Sequence, residues 1–423
     1  MRPTLYLQLA SGQDGALADR VAASGLGWII SAQYALRGRQ GLAARIDEVP
    51  RLLIDPQTMR LDLSLGWGVA RDGGEKPAYR RLWDEFLRGF PPERAQEMRR
   101  MGWRDVSDEE RRTLALNVLS FQTRCLDMGR AFDEELFGVL PPSTRRVAPD
   151  VLMGSSVLVR DEASLHEQAA LYAATPRRWE QLPVERVLVL HPAALDRDRV
   201  IRALRRIEWG DARIWISLPG FRELVVPRRL GPTALRLRSL IRMLAARGPV
   251  GLLGGSFPLC TLISDGIDSV AFGPHLESGR VRAGSGGPLA QAYVPAVHGW
   301  VSYDEVAHHL RRCSTRSQVA EVFCADEQCL GLLDRVGMEG FCREMFATVD
   351  TIRGPFADPT SRKLQDEHAV RARLLEIEMV SQLSRTELAR VLAIAARRSP
   401  FVRPAEYLGR WAAILRIEEL AAA

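Results

Sequence analysis

Val187-Leu188-Val189-Leu190, Arg213-Ile214-Trp215-Ile216-Ser217-Leu218-Pro219-Gly220 and Val250-Gly251-Leu252-Leu253-Gly254-Gly255 are largely continuous apolar runs, each stopped by Pro, Gly or a polar residue. Runs that do not alternate apolar with polar belong to strands buried on both faces. The segments between them, 196–207 and 233–246, carry apolar residues at helical spacing. Doubly buried strands that alternate with helices form a parallel sheet covered by those helices.

The rhythm extends outward in both directions. Upstream lie Thr4-Leu5-Tyr6-Leu7-Gln8-Leu9, Gly27-Trp28-Ile29-Ile30-Ser31 and Arg51-Leu52-Leu53-Ile54-Asp55-Pro56. Between the first runs quoted, Leu224-Val225-Val226-Pro227 reads as a short strand. Downstream a short helix at 259–264 precedes Asp268-Ser269-Val270-Ala271-Phe272-Gly273, and Glu321-Val322-Phe323-Cys324 reads as the last strand. The number of candidates is close to eight, and no GxGxxG follows the first strand, which argues against a dinucleotide-binding sheet. The expected fold is α/β, a (β/α)8 TIM-type barrel.

Two stretches break the rhythm. Residues 77–145 are charged, Trp-bearing and helical in period, with a helix start at Asp105-Val106-Ser107-Asp108-Glu109-Glu110 and a stop at Pro141-Pro142. They read as a helical insertion within a barrel spanning 1–366. Residues 367–423 read as a C-terminal helical extension that forms a cap, a homodimer contact or part of a nucleic-acid surface.

The chain has 423 residues and a net charge of +6, and only Lys76 and Lys363 among its 58 basic residues are lysine. Guanidinium groups suit phosphate, although GC-rich coding gives the same bias. No apolar run is long enough for a membrane span, and the N-terminus enters a strand pattern rather than a signal peptide. A cytoplasmic protein without a membrane partner is expected, with its six cysteines reduced.

In such barrels the chemistry sits where strands end. The strand-end residues here are Asp55, His191, Ser217, Pro227, Gly254 with Gly255, and 268–273. Paired glycines at one strand end leave room for a flat ligand against the backbone.

These ends also carry a resemblance. Leu52-Leu53-Ile54-Asp55-Pro56-Gln57 stands where the tRNA-guanine transglycosylase superfamily has a strand ending in an acid before Ser-Gly-Gly-Phe-Gln. Ile29-Ile30-Ser31-Ala32-Gln33-Tyr34-Ala35-Leu36-Arg37-Gly38 matches its strand leading to Asn-Thr-Tyr-His-Leu. Glu223-Leu224-Val225-Val226-Pro227-Arg228 matches its Gly-Leu-Ala-Val-Gly-Glu. Gly251-Leu252-Leu253-Gly254-Gly255, Asp265-Gly266-Ile267-Asp268-Ser269-Val270 and Glu277-Ser278-Gly279-Arg280 match its Gly-rich strand end, Gly-Val-Asp strand and Ser-Gly-Arg run. The chain thus resembles the queuine and archaeosine tRNA-ribosyltransferases, and most nearly the branch that places 7-deazaguanine in DNA.

The resemblance implies a nucleic-acid base-exchange enzyme that replaces a guanine-type base by a 7-deazaguanine in DNA or tRNA. Such chemistry needs a carboxylate to attack the anomeric carbon and an acid to manage the protons of the base. Asp55 matches the family's acid/base position; capping the following turn is the structural alternative. The family's second acid falls on Ala271, whose methyl group cannot attack carbon. Asp268 is the nearest replacement, and strand alternation lets it serve only if a bulge shifts the register; the structural acid that the family keeps at this point is the favoured alternative. His275 and Glu277 are further candidates. Tyr34, Gln57, His191, Ser217, Gly254 and Gly255 are the expected base-binding residues, with closure of the strand end by a backbone bond the equal alternative for His191, and Arg228, Arg229, Arg280 and Arg282 are the expected phosphate contacts. Arg197, Arg199, Arg202, Arg205 and Arg206 read as a solvated helix face.

The tRNA enzymes hold zinc with Cys-x-Cys-x-x-Cys and a distant His. Here Cys324, Asp326 and Cys329 keep that spacing with Asp in the middle, and Cys342 and His368 are the remaining candidates. Zinc accepts carboxylate, so it is the cofactor this set could hold; two buried structural thiols are the alternative. A barrel that recognises nucleic acid or a modified base without glycosyl transfer is the second functional reading. A small-molecule hydrolase or lyase on an unrelated barrel is the third.

Overall fold

The computed structural model describes residues 2–9, 17, 25–36, 46–58, 77–101, 106–137, 148–219, 221, 227–254, 257–273, 290–351 and 354–422. Eight parallel strands close into a barrel: Thr4–Leu9, Gly27–Ser31, Leu52–Asp55, Val151–Met153, Leu182–Leu190, Ile214–Ser217, Val250–Leu253 and Ile267–Phe272. The ring is sealed at two places. The first strand pairs with the eighth (Tyr6 opposite Ala271), and the fourth pairs with the fifth (Leu152 opposite Val184).

Because side chains alternate along each strand, every strand supplies two apolar faces. One set, including Tyr6, Ile29, Leu53, Met153, Val189, Trp215, Leu253 and Ala271, fills the barrel. The other, including Leu7, Ile30, Ile54, Leu188, Ile216, Leu252 and Phe272, joins the core under the helices. Trp215 fits inside because Gly251 faces it on the next strand. A Cβ at Gly251 would lie 2.4 Å from the indole, so glycine there is required by packing.

A layer of charge closes the N-terminal end of the barrel. Glu185 accepts from the Trp215 indole at 2.5 Å and pairs with Arg213 at 2.9 Å and Arg51 at 3.3 Å. Arg213 also holds Asp268 at 3.2 Å.

Three expectations about elements are corrected. The fourth strand, Val151–Met153, was not among the predicted strands. It has only three residues, and both hydrogen-bonding groups of Met153 are taken by the buried Gln122 amide, at 2.7 and 2.8 Å. Residues 321–324 do not form a strand: Arg316–Val322 is a helix, started by a reciprocal Thr315/Gln318 capping box. The helix expected from 233 begins at Pro227, and residues 224–226 of the expected short strand lie outside the described residues.

The insertion after the third strand is helical as expected, with Pro77–Phe86, Pro92–Met101 and Asp108–Phe137. The C-terminal helices are Pro359–Gln382, Arg385–Arg398 and Val402–Ala422. Pro359–Gln382 packs along the outside of the eighth strand. Arg373 stands 5.6 Å from the Phe272 ring, and Glu378 reaches Arg2, before the first strand, at 3.6 Å. This helix therefore fills the place of the barrel's eighth helix. No helix among the described residues is long and apolar enough to cross a membrane.

Candidate functional site

Asp55 ends the third strand and Gly254 follows the seventh, so in a closed parallel ring both lie at the C-terminal mouth. Alternation carries the interior column upward to polar residues. Gln8 follows Tyr6, Ser31 follows Ile29, Asp55 follows Leu53, His191 follows Val189 and Ser217 follows Trp215, each two residues on. An apolar barrel is thus crowned by a polar ring. Of the eight barrel strands only the third ends in a carboxylate, that of Asp55.

Asp55 accepts from the backbone N–H of Gln57 at 3.0 Å. That turn places Gln57 at φ 49, a left-handed conformation that is costly for a residue with a Cβ. Gln57 is 7% exposed, and its Oε1 has no hydrogen-bond partner among the described residues. Gln8 Oε1 and the Oγ of Ser155, two residues past the fourth strand, are likewise buried and unpartnered. A buried polar atom left without a partner marks a place where water, an ion or a ligand can complete it. Gly254 has φ 67, a conformation suited to glycine, and turns the backbone at the mouth.

His191 Nδ1 accepts from Ala193 N–H at 3.2 Å and caps the following turn. Burial, reinforced by Arg160 and Arg197, lowers its pKa below the usual histidine value. The ring is therefore neutral at physiological pH, and its capping role fixes Nε2 as the N–H that can donate.

The remaining expected residues divide sharply. Ser217 sits in the ring, paired in register with Val189 and Leu253. Tyr34, on the short helix Ala32–Leu36, is buried in the core outside the barrel and so does not face the mouth. Asp268 belongs to the opposite end of the molecule. A bulge does occur, between Ile267 and Ser269, but it serves the Arg213 ion pair rather than the mouth. Arg228 and Arg229 open the helix Pro227–Ala245. Their side chains, and all of Gly255, His275, Glu277, Arg280 and Arg282, lie outside the described residues.

The sequence matches no protein-family model, and no curated protein matches it significantly.

A second constellation lies in the excursion between the eighth strand and its helix. Ligand atoms of Cys324, Asp326, Cys329 and His368 all fall within 4.8 Å of one another. His368 Nδ1 is 3.2 Å and Asp326 Oδ2 3.8 Å from Cys329 Sγ. Four ligands held tetrahedrally at about 2.0–2.3 Å stand roughly 3.3–3.8 Å apart; the two Cys329 spacings come close to this, within a cluster that spans up to 4.8 Å. The second ring nitrogen of His368 donates to the Tyr293 carbonyl at 2.9 Å. That bond leaves Nδ1 with its lone pair toward the cluster, which is how metal-binding imidazoles are commonly oriented. The Asp326 N–H donates to Cys324 Sγ at 3.2 Å.

Arg371 completes the set by donating to Asp326 Oδ2 at 2.8 Å. Burial would raise the Asp326 pKa, but the Arg371 bond and the Gln328 amide outweigh it and hold the carboxyl below its usual range. The neighbouring Cys324 sulfur, together with burial, pushes the Cys329 thiol up. These four residues could hold a metal. Cys342 is not one of them, so the structure selects His368 between the two expected fourth ligands. A pocket of about 440 Å³ opens beside Cys329, walled by Arg335, Glu344, Glu367 and Arg371.

Proposed function

We propose that the chain is a nucleic-acid base-exchange enzyme of the transglycosylase kind, taking out a guanine-type base and inserting a 7-deazaguanine in DNA or tRNA. The reading is carried by one observation: a lone strand-end carboxylate, Asp55, stands in a polar ring with unpartnered buried amide oxygens from Gln8 and Gln57. Amide oxygens are acceptors, and a guanine-type base presents N–H donors on its edge. Asp55 manages the protons of the leaving and arriving bases, while Gly254 at the seventh strand's end leaves room for the flat ring. A metal at Cys324, Asp326, Cys329 and His368 is taken to be zinc, from its two thiolates and one imidazole. Bound there, it would tie the excursion to the barrel's last helix.

A second reading has its own support. Ala271 occupies the strand position matched to the family's nucleophile, and Asp268 is committed to Arg213. A barrel that binds a base in nucleic acid without transferring it fits both facts. The test is incubation with tRNA or duplex DNA and a labelled 7-deazaguanine. The base-exchange reading predicts incorporation by the wild type and at least a 100-fold loss in Asp55→Ala, the scale of one general acid/base group, about 10²–10⁴. Tight binding without any incorporation would favour the second reading.

A further inference from the structure

We propose that the corner joining the C-terminal helices to the helix Tyr303–Leu310 is a docking surface for the phosphate backbone of the nucleic acid, separate from the barrel mouth. The choice of occupant rests on the base-exchange reading; the surface itself rests on charge and placement. The His309 ring packs 5.1 Å from the Phe401 ring. That contact joins the end of one helix, with exposed Arg311 and Arg312, to the turn between the last two helices, with exposed Arg397, Arg398 and Arg403. Among the described residues none of these five arginines pairs with a carboxylate; Arg397 donates only to a backbone carbonyl. The nearest acid in sequence, Glu406, is taken by Arg410 at 2.7 Å.

Helix dipoles do not account for the accumulation. Two helix C-termini present roughly half a negative charge each, against five guanidinium groups. Arg403 moreover opens the helix Val402–Ala422, where the dipole disfavours a cation. The location fits a long substrate reaching the mouth. Arg385 starts its helix in an ion pair with Asp265, just before the eighth strand begins. A rise of 1.5 Å per residue carries Arg397 and Arg398 roughly 20 Å from there. Both of the last two helices pack on the turn Pro295–Val297, whose neighbour His298 stacks 3.8 Å from Phe257, three residues past Gly254. Phosphate fits better than a lipid surface. Among the described residues only Val402 and Ile394 are large exposed apolar side chains near these arginines, too few to enter a bilayer.

The test measures binding of the full chain to a labelled duplex DNA and a tRNA across about 50–200 mM salt. The triple variant Arg397→Ser, Arg398→Ser, Arg403→Ser is compared with Arg199→Ser, Arg202→Ser, Arg206→Ser, which removes equal charge from the exposed face of the helix Asp198–Arg206. The proposal predicts at least a tenfold loss of affinity in the first variant. Its plot of log affinity against log salt should flatten by about 2–3, close to one for each phosphate no longer neutralised. The second variant should keep the wild-type slope. Unchanged affinity and slope in the first variant, an equal loss in the second, or binding of anionic vesicles without nucleic-acid binding would each overturn it. Binding that depends on these arginines without base incorporation upholds the surface while defeating base exchange. Incorporation with wild-type binding by the first variant does the reverse.

Discussion

Zinc is expected to stabilise the wild-type chain by about 4 kcal/mol when present at roughly 1,000 times its dissociation constant, and to leave Cys329→Ala unaffected. The size follows from that ratio, and the elements affected from what the four ligands join. Cys324 and Asp326 precede the helix Glu327–Phe346, Cys329 lies in its first turn, and His368 stands on Pro359–Gln382, the helix that covers the eighth strand. One ion would therefore pin the excursion to the barrel wall. Arg371→Met gives a graded control. It removes the group that orients Asp326, and loss of such a supporting bond typically costs 10–100-fold in metal affinity. Thermal melts with and without zinc, together with a chelator competition, read both effects. An equal zinc-dependent shift in Cys329→Ala would show that the cluster is not the site.

The second large effect is expected at Asp265. Its side chain is wholly buried between Arg238, also wholly buried, at 3.0 Å and Arg242 at 2.7 Å, with Arg385 as a third partner. Asp265→Ala leaves the Arg238 guanidinium inside the protein without its carboxylate, and breaking a buried pair this way costs about 3–5 kcal/mol. Adding Arg238→Met should restore part of the loss, since an apolar side chain of similar length needs no partner. Urea denaturation of the two variants decides it. A cost under about 1 kcal/mol for Asp265→Ala would mean that the pair acts like an exposed one. The same pair anchors the C-terminal helices, because Arg385 opens the second of them.

The barrel was legible because its strands are apolar on both faces, a pattern few other folds impose. Gly254 was legible as following a strand end, and Asp55 as the acid that ends the third strand. The fourth strand escaped because three residues carry no periodicity, and its pairing is completed by Gln122, far away in sequence. Residues 321–324 misled because Val-Phe-Cys is strand-like in composition, whereas the Thr315/Gln318 box upstream commits the chain to helix. Tyr34 was misplaced because it stands on a short helix leaving the second strand, and the turn of that helix takes the ring away from the interior. The Cys-x-Asp-x-x-Cys spacing pointed to a metal, but only the fold could choose His368 over Cys342. Asp268 was legible as the start of its strand, away from the mouth, but its partner Arg213, on another strand, was not.

The polar mouth is the part of the account on which its chemistry depends, and binding of the free base measures it without any nucleic acid. Equilibrium dialysis of labelled guanine and 7-deazaguanine should show binding by the wild type and at least a tenfold loss in Asp55→Asn, about 1.4 kcal/mol. Asp268→Asn should bind as the wild type does, even if it melts lower. Wild-type affinity in Asp55→Asn, with binding abolished in a folded Asp268→Asn, would place the base at the other end of the barrel and contradict the account.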